Sequence, residues 1–276
     1  MNTKKRDKIT GAIYGFAIGD ALGATTEFKS REQVKRKYGK VTDIIGGGWL
    51  NLKPGEVTDD TQMTICVMKA LMNTLNRKDP LGFMFMKQLR KEFIDWYRTR
   101  PKDVGGQCQR AIQEMIYLQK LGATKDNDAL GNGSLMRAMP CALLGKELLN
   151  NFQGKMTHNN SICSKYIQVY SGLIQSHLND NCIGVILKRL TEPSGHVKNT
   201  FCNSVYWSQQ NSFEEAIIGA VNDGGDADTI AAITGSIAGI KFGYDAIPER
   251  WINQLDTDVK NVLENFKNFA FTYLQI

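Results

Sequence analysis

Residues 222–243 read NDGGDADTIAAITGSIAGIKFG. Acidic residues alternate with glycines, and a helix of small residues begins directly behind them. Carboxylates this close repel one another unless a cation sits among them. Gly224 and Gly225 let the backbone turn so that Asp226, Asp228 and Thr229 converge on one point. Taken alone, the stretch is explained equally well by helix capping, since Asp and Thr both favour the N-cap. Further on, Ala231, Gly235, Gly239 and Gly243 fall four apart. At helical period they form a stripe without bulky side chains, which lets a neighbouring helix approach closely.

The start of the chain repeats this pattern at Gly11, Gly15, Gly19 and Gly23. Glycine inside a helix costs about 1 kcal/mol relative to alanine, so close packing has to offset it. The two striped helices are therefore expected to be central and adjacent. The acidic cluster also has a counterpart, Thr58-Asp59-Asp60-Thr61, which leads into an apolar-periodic run from Met63 to Leu75. One such cluster is a cap; two indicate a shared site. Thr58, Asp59, Asp60, Asp226, Asp228 and Thr229 offer oxygen ligands only, which favours magnesium or manganese over zinc and leaves calcium open. Six ligands from two helix starts suit two ions sharing a bridging carboxylate.

Outward from these stretches almost everything reads as helix. The candidates are 60–75, 81–98, 106–120, 134–148, 160–177, 181–190, 197–209, 212–221, 228–242, 248–254 and 258–273. Ser212-Phe213-Glu214-Glu215 forms a capping box, and Pro248 suits a first helical turn. Between Lys29 and Gly55 the pattern breaks, and a short extended segment or hairpin is expected there. With no strict repeat, low-complexity tract or linker, the 276 residues are read as one all-α domain, 1–276.

Composition is that of an ordinary soluble protein with a formal charge of +6. Residues 1–40 hold ten Lys or Arg against four acids, so the excess belongs to that segment and the rest of the chain is balanced. A solvated surface explains it, as does attraction to a phosphate-bearing partner. Six cysteines without a Cys-x-x-Cys pair point to a reducing, cytoplasmic compartment. The first 24 residues resemble a signal peptide only superficially, because Asp20 and the four-residue glycine spacing describe a packing face. No run is long and apolar enough to span a bilayer, so no membrane partner is expected.

Further candidates for chemistry are one glycine-rich stretch and three single residues. Gly131-Asn132-Gly133-Ser134 precedes the apolar run 135–144, where backbone N–H groups could face an anion; a turn with a Ser134 cap is the plainer reading. Arg137, one turn further in, reads as a partner for an acid. Asp103 sits in a loop between helices and His158 at a helix start, both positions where caps are common. Glu27 follows the first striped helix. If that helix packs as expected, its end brings Glu27 to the acidic cluster, where a carboxylate can act as a base.

Together, residues 11–28 (GAIYGFAIGDALGATTEF), 53–64 (KPGEVTDDTQMT), 131–140 (GNGSLMRAMP), 224–235 (GGDADTIAAITG) and 247–251 (IPERW) resemble the successive motifs of the ADP-ribosylglycohydrolase family. The resemblance implies a compact all-α fold with a dimetal centre in a cleft. It also implies removal of ADP-ribose from a modified acceptor, with arginine-linked protein favoured; a monomer is expected. Thr58, Asp59, Asp60, Asp226, Asp228 and Thr229 match the family's metal ligands. Glu27 matches the glutamate near the scissile bond, and Asp103 an acid of the arginine-directed members. Gly131, Asn132, Gly133, Ser134 and His158 fall where the family contacts ADP-ribose. The chain departs at Gly195-His196-Val197, where an aromatic residue is expected near the ligand. Two other readings stay open: an ADP-ribose-binding protein without turnover, and a hydrolase acting on ADP-ribosylated nucleic acid.

Overall fold

Local signals set the helices before packing does. The computed structural model describes residues 2–75, 82–181, 187 and 191–276. Among them are thirteen α-helices: α1 (Asn2–Gly23), α2 (Arg31–Tyr38), α3 (Asp59–Thr74), α4 (Phe83–Arg98), α5 (Gly106–Tyr117), α6 (Met139–Leu143), α7 (Glu147–Lys155), α8 (Ser161–Leu178), α9 (Val197–Ser208), α10 (Phe213–Asp223), α11 (Ala227–Phe242), α12 (Glu249–Gln254) and α13 (Thr257–Leu274). Extended pairing among these residues is limited to isolated bridges, Ser30 with Gly224, Gly47 with Leu52 and Gly131 with His196. The fold is all-α. The helix expected over 181–190 lies outside the described residues except for 181 and 187.

The two glycine stripes face each other. A Cβ added at Gly11, Gly15, Gly19 or Gly23 would strike backbone at Gly239, Gly235, Ala231 or Ala227 respectively, so α1 and α11 run antiparallel with their backbones in contact. Both helices are buried along most of their length. Helices α9 and α10 pack on α11, while α3 touches both members of the pair and carries α4. The antiparallel register decides where function can sit. It brings the C-terminal end of α1, with Glu27 just beyond it, to the N-terminal end of α11, with Asp226 and Asp228.

This packing predicts opposite outcomes for the same substitution at two glycines. Gly19→Ala gains helix propensity worth about 1 kcal/mol, but its methyl meets the Ala231 carbonyl and main chain, which cannot rotate away. Overpacking of this kind costs about 1–3 kcal/mol, so the net effect is destabilising. Gly172 in α8 is exposed and faces open space, and Gly172→Ala is expected to stabilise by about 1 kcal/mol. Urea denaturation of both variants checks the pair; a stabilised Gly19→Ala would contradict the backbone contact.

Two expectations about elements are corrected. A single helix over 134–148 does not form: a 3₁₀ turn at Asn132–Ser134 is followed by the short α6, and α7 begins only at Glu147. Pro140 explains the break, because it lacks the N–H that would continue a helix to the Met136 carbonyl, which accepts from Thr64 Oγ1 instead; Gly145, at φ +64, then follows the end of α6. Nor is 29–55 simply extended. Ser30 and Gln33 form a reciprocal capping box that starts α2, and the expected hairpin shrinks to the bridge between Gly47 and Leu52.

Candidate active site and metal centre

The α1 helix contributes a buried carboxylate at Asp20, which accepts from the N–H of Thr58 (3.1 and 3.2 Å) and the N–H of Thr61 (3.0 Å). Those N–H groups belong to the first turn of α3, where helical partners are lacking and the dipole favours an anion. Asp20 thus fixes where α3 starts, and its side chain is spent on that task. The sequence reading noticed Asp20 only as a charge inside an apolar run. A buried acid within a glycine-striped helix was the signal available.

From that anchored start, α3 presents two acids. Thr58 caps the helix, its Oγ1 accepting from Asp60 N–H at 3.2 Å and donating to Asp60 Oδ2 at 3.3 Å. Thr229 Oγ1, from the start of α11, donates to the same Oδ2 at 3.1 Å. Asp60 therefore joins the two helix starts, and its other oxygen, Oδ1, is buried with no hydrogen-bond partner. Asp59 Oδ2 accepts from Gly105 N–H at 3.1 Å, which ties α3 to the loop holding Asp103. Asp226 occupies the N-cap position of α11 but makes no capping bond; its Oδ2 accepts instead from Asn132 Nδ2. Capping accounts for Thr58 and fails for Asp226. Asp228 Oδ1 accepts from the N–H of Thr229 at 2.8 Å.

Ligand atoms of Glu27, Asp226 and Asp228 lie within 4.8 Å of one another. Burial is the first cause that raises every acid here, followed in most of them by mutual repulsion. It lifts Asp226 to about 6, Asp59 to about 7 and Glu27 to about 8, and holds Asp60 and Asp228 well above the usual carboxylate range. Such a set is unfavourable as bare anions. Its oxygen-only donors and the orphaned Asp60 Oδ1 fit hard divalent cations.

Linkage gives this a measurable sign. Groups whose folded pKa is raised contribute stability at low pH that is lost as pH climbs through the folded value. The metal-free protein is therefore expected to lose stability as pH rises from the ordinary carboxylate range to about 8, the value reached by Glu27. Divalent cation should restore it at neutral pH. Melting temperatures across that range, with and without chelator, check this; a metal-free protein that gains stability over it would contradict the burial of these acids.

The cluster lines a cavity of about 190 Å³ together with Glu27, Asp103, Gly131, Asn132, Gly133 and His158. A Cβ on Gly133 would meet Cys108 Sγ and His158 Cε1 at 2.8 Å each, so a larger residue there would have to displace these buried side chains. His158 is buried, shares a hydrogen bond of 2.8 Å between Nδ1 and Thr157 Oγ1, and is pushed down to about 3 by burial and then by Arg137. At neutral pH it is uncharged. Thr58 and Ser134 do not line the cavity. The Ser134 carbonyl accepts from Gln153 Nε2 at 3.0 Å, and its side chain is buried.

Arg137 does not pair with an acid, as the sequence suggested. It is fully buried, donates to Gln153 Oε1 (2.8 Å), the Gln153 carbonyl (2.8 Å), Thr157 Oγ1 (2.6 Å) and the Gly133 carbonyl, and lies over the Phe93 ring. One side chain thus holds the glycine loop, α7 and the turn before His158 together. His196, at the departure from the expected pattern, caps α9 by accepting from Lys198 N–H at 3.2 Å, and its segment bridges to Gly131. Trp49 was missed as a site residue. Its Nε1–H donates to Glu27 Oε2 at 2.6 Å across a loop, a contact with no local sequence signal.

Comparison with known proteins now bears on this arrangement. The family model described as ADP-ribosylglycohydrolase matches residues 1–193 and 180–272. The chain belongs to the ADP-ribosylglycohydrolase family. It is similar to the ADP-ribosyl-[dinitrogen reductase] glycohydrolase of Rhodospirillum rubrum, at 32% identity over 92% of each chain. It is also similar to an ADP-ribosylarginine hydrolase of Serratia proteamaculans, at 29% identity over 90% of this chain and 75% of that one. A solved structure titled ADP-ribosylglycohydrolase-related protein complex superposes with a TM-score of 0.81 and 25% identity, covering 99% of both chains. As an ADP-ribosylglycohydrolase, the protein is a hydrolytic enzyme of the glycosidic class. No helix among the described residues is long and apolar enough to cross a membrane.

Proposed function

We propose that this enzyme releases ADP-ribose from arginine-linked ADP-ribosyl protein, cleaving the N-glycosidic bond at the distal ribose with two divalent cations, magnesium or manganese. The observation that carries the reading is the convergence of Glu27, Asp226 and Asp228 beside Asp60, whose Oδ1 has no partner of its own. Thr58 stands behind as the cap that fixes Asp60, while Asp59, Asp60, Asp226 and Asp228, with Thr229, would hold the cations. When bound, these would supply charge that fixes the ribose hydroxyls and makes a water easier to ionise.

The chain's own groups do the rest. The surrounding carboxylates favour positive charge developing at the anomeric carbon, and burial leaves their attraction less screened by water. Trp49 takes one oxygen of Glu27, which orients the carboxylate to receive a proton from water as the oxygen attacks that carbon. The carbon–nitrogen bond breaks, and the departing guanidine takes up a proton, with Asp103 as the acid placed to give it. Gly131, Asn132 and Gly133, with the neutral His158, form the wall that receives the ADP-ribose part; Asn132 also links that wall to Asp226.

Arginine linkage is favoured over a nucleic-acid acceptor by the similarity to an ADP-ribosylarginine hydrolase, and at least four of the ten basic residues of the N-terminal segment are engaged within the fold. Lys4 and Lys8 pair with Asp180, Arg6 donates to the Ile276 carbonyl at 2.7 Å, and Arg31 pairs with Asp223. Five described cysteines are free thiols, which supports a cytoplasmic setting. Hydrolysis of an ADP-ribosylarginine peptide, followed as free ADP-ribose, tests the reading. Cleavage of ADP-ribosylated nucleic acid, with the peptide left intact, would overturn the acceptor assignment.

A further inference from the structure

The rim of the cleft carries an aromatic pair that the reaction above uses only through the Trp49 N–H on Glu27. Phe28 is 67% exposed and Trp49 50% exposed, and their rings meet with centroids 5.4 Å apart. Phe28 lines the cavity with its backbone at φ +58, and its N–H donates to the Gly225 carbonyl at 2.7 Å. A bulky residue in the left-handed region is strained, and an exposed ring recovers little from burial, so stability does not explain it. Trp49 follows three glycines of positive φ, and Gly48 lies so close to the Ala24 carbonyl that a Cβ there would collide with it. That approach holds the Trp49 ring beside Glu27.

We propose that Phe28 and Trp49 form the acceptor subsite, an aromatic face that receives the planar guanidinium of the arginine leaving group. The proposal rests on the arginine-linked reading above and names the residues that select it. Two π faces next to the carboxylates of Glu27 and Asp103 suit a flat, delocalised cation. The alternative occupant, the adenine ring, would draw the diphosphate across those same carboxylates. The opposite assignment for ADP-ribose is already provided by the Gly131–Gly133 loop and His158. Both sets of residues line one cavity with the acids, Asn132 bonding Asp226 and the Phe28 N–H donating to the carbonyl of the adjacent Gly225, so the bond between ribose and guanidinium would lie at the acids.

The test uses the full chain with magnesium and compares the parent with Phe28→Leu, Phe28→Tyr and Trp49→Phe. An ADP-ribosylarginine peptide is the substrate, with agmatine and free ADP-ribose as inhibitors. Losing a cation–π face predicts that Phe28→Leu raises KM for the peptide and the inhibition constant of agmatine by about tenfold. Phe28→Tyr restores both. The inhibition constant of ADP-ribose stays within about twofold. Trp49→Phe keeps a ring but loses the bond to Glu27, so its loss falls on kcat.

An unchanged KM in Phe28→Leu overturns the subsite while leaving the proposed function standing. A parallel tenfold rise for ADP-ribose also overturns it and assigns the rings to adenine. If the parent does not cleave the peptide, agmatine binding followed by fluorescence, with Trp49→Phe as reference, separates the two ideas. Phe28-dependent binding keeps the subsite and rejects the reaction; no binding rejects both.

Discussion

Asp228→Asn is expected to remove divalent-cation binding and to lower turnover by about a thousandfold or more, while leaving the protein folded. Asparagine keeps the acceptor used by the N–H of Thr229, so the start of α11 is preserved. What it removes is one anion from a buried set in which burial first, then Glu27, Asp60, Asp226 and Asp20, oppose ionisation. The same substitution therefore has a second, opposite signature. Without metal, the variant should melt above the parent at neutral pH, because a repelling charge is gone. With metal it should melt below the parent, because the stabilisation conferred by binding is lost. Calorimetric titration and paired melting curves read both effects. A variant that retains activity, or a metal-free variant that melts lower than the metal-free parent, would contradict the role given to Asp228.

Glu27→Gln is expected to reduce kcat by about 10²–10⁴-fold, the usual loss on removing a general base. The amide oxygen can still accept from Trp49 Nε1, so the side chain keeps its place and the substitution isolates the proton-accepting function. KM for the arginine-linked substrate should change less than kcat, since Asp103 remains beside the guanidinium. If Glu27 only shapes the cavity, kcat stays near the parental value, and the proton must go elsewhere. Comparison with Trp49→Phe separates orientation from chemistry, since that variant retains the carboxylate and loses only the donor that aims it.

The centre of the fold was legible because its signal is periodic and lies within each helix. Glycines four apart on two segments can be offset energetically only by close packing, and the structure sets Gly15 on Gly235 and Gly19 on Ala231. The acidic pairs were legible for a similar local reason, since each sits at a helix start where the backbone aims neighbouring side chains together. Contacts made across the chain were not legible. Asp20 holding the start of α3, Trp49 on Glu27, and Arg137 joining three segments each depend on which distant backbone arrives, and no spacing encodes that. The α2 helix was missed although its capping box was written in Ser30 and Gln33, because the basic run after it hid the pattern. The reading of 134–148 as one helix gave weight to apolar residues over Pro140, whose missing N–H decided the matter.

The central claim is that a carboxylate cluster built from two helix starts makes this chain a metal-dependent hydrolase of arginine-linked ADP-ribose. It is tested most directly by release of free ADP-ribose from an ADP-ribosylarginine protein, measured with magnesium or manganese, with chelator, and in Asp228→Asn. The account predicts release that requires the cation and disappears in the variant. Release that continues in chelator and in the variant would contradict it.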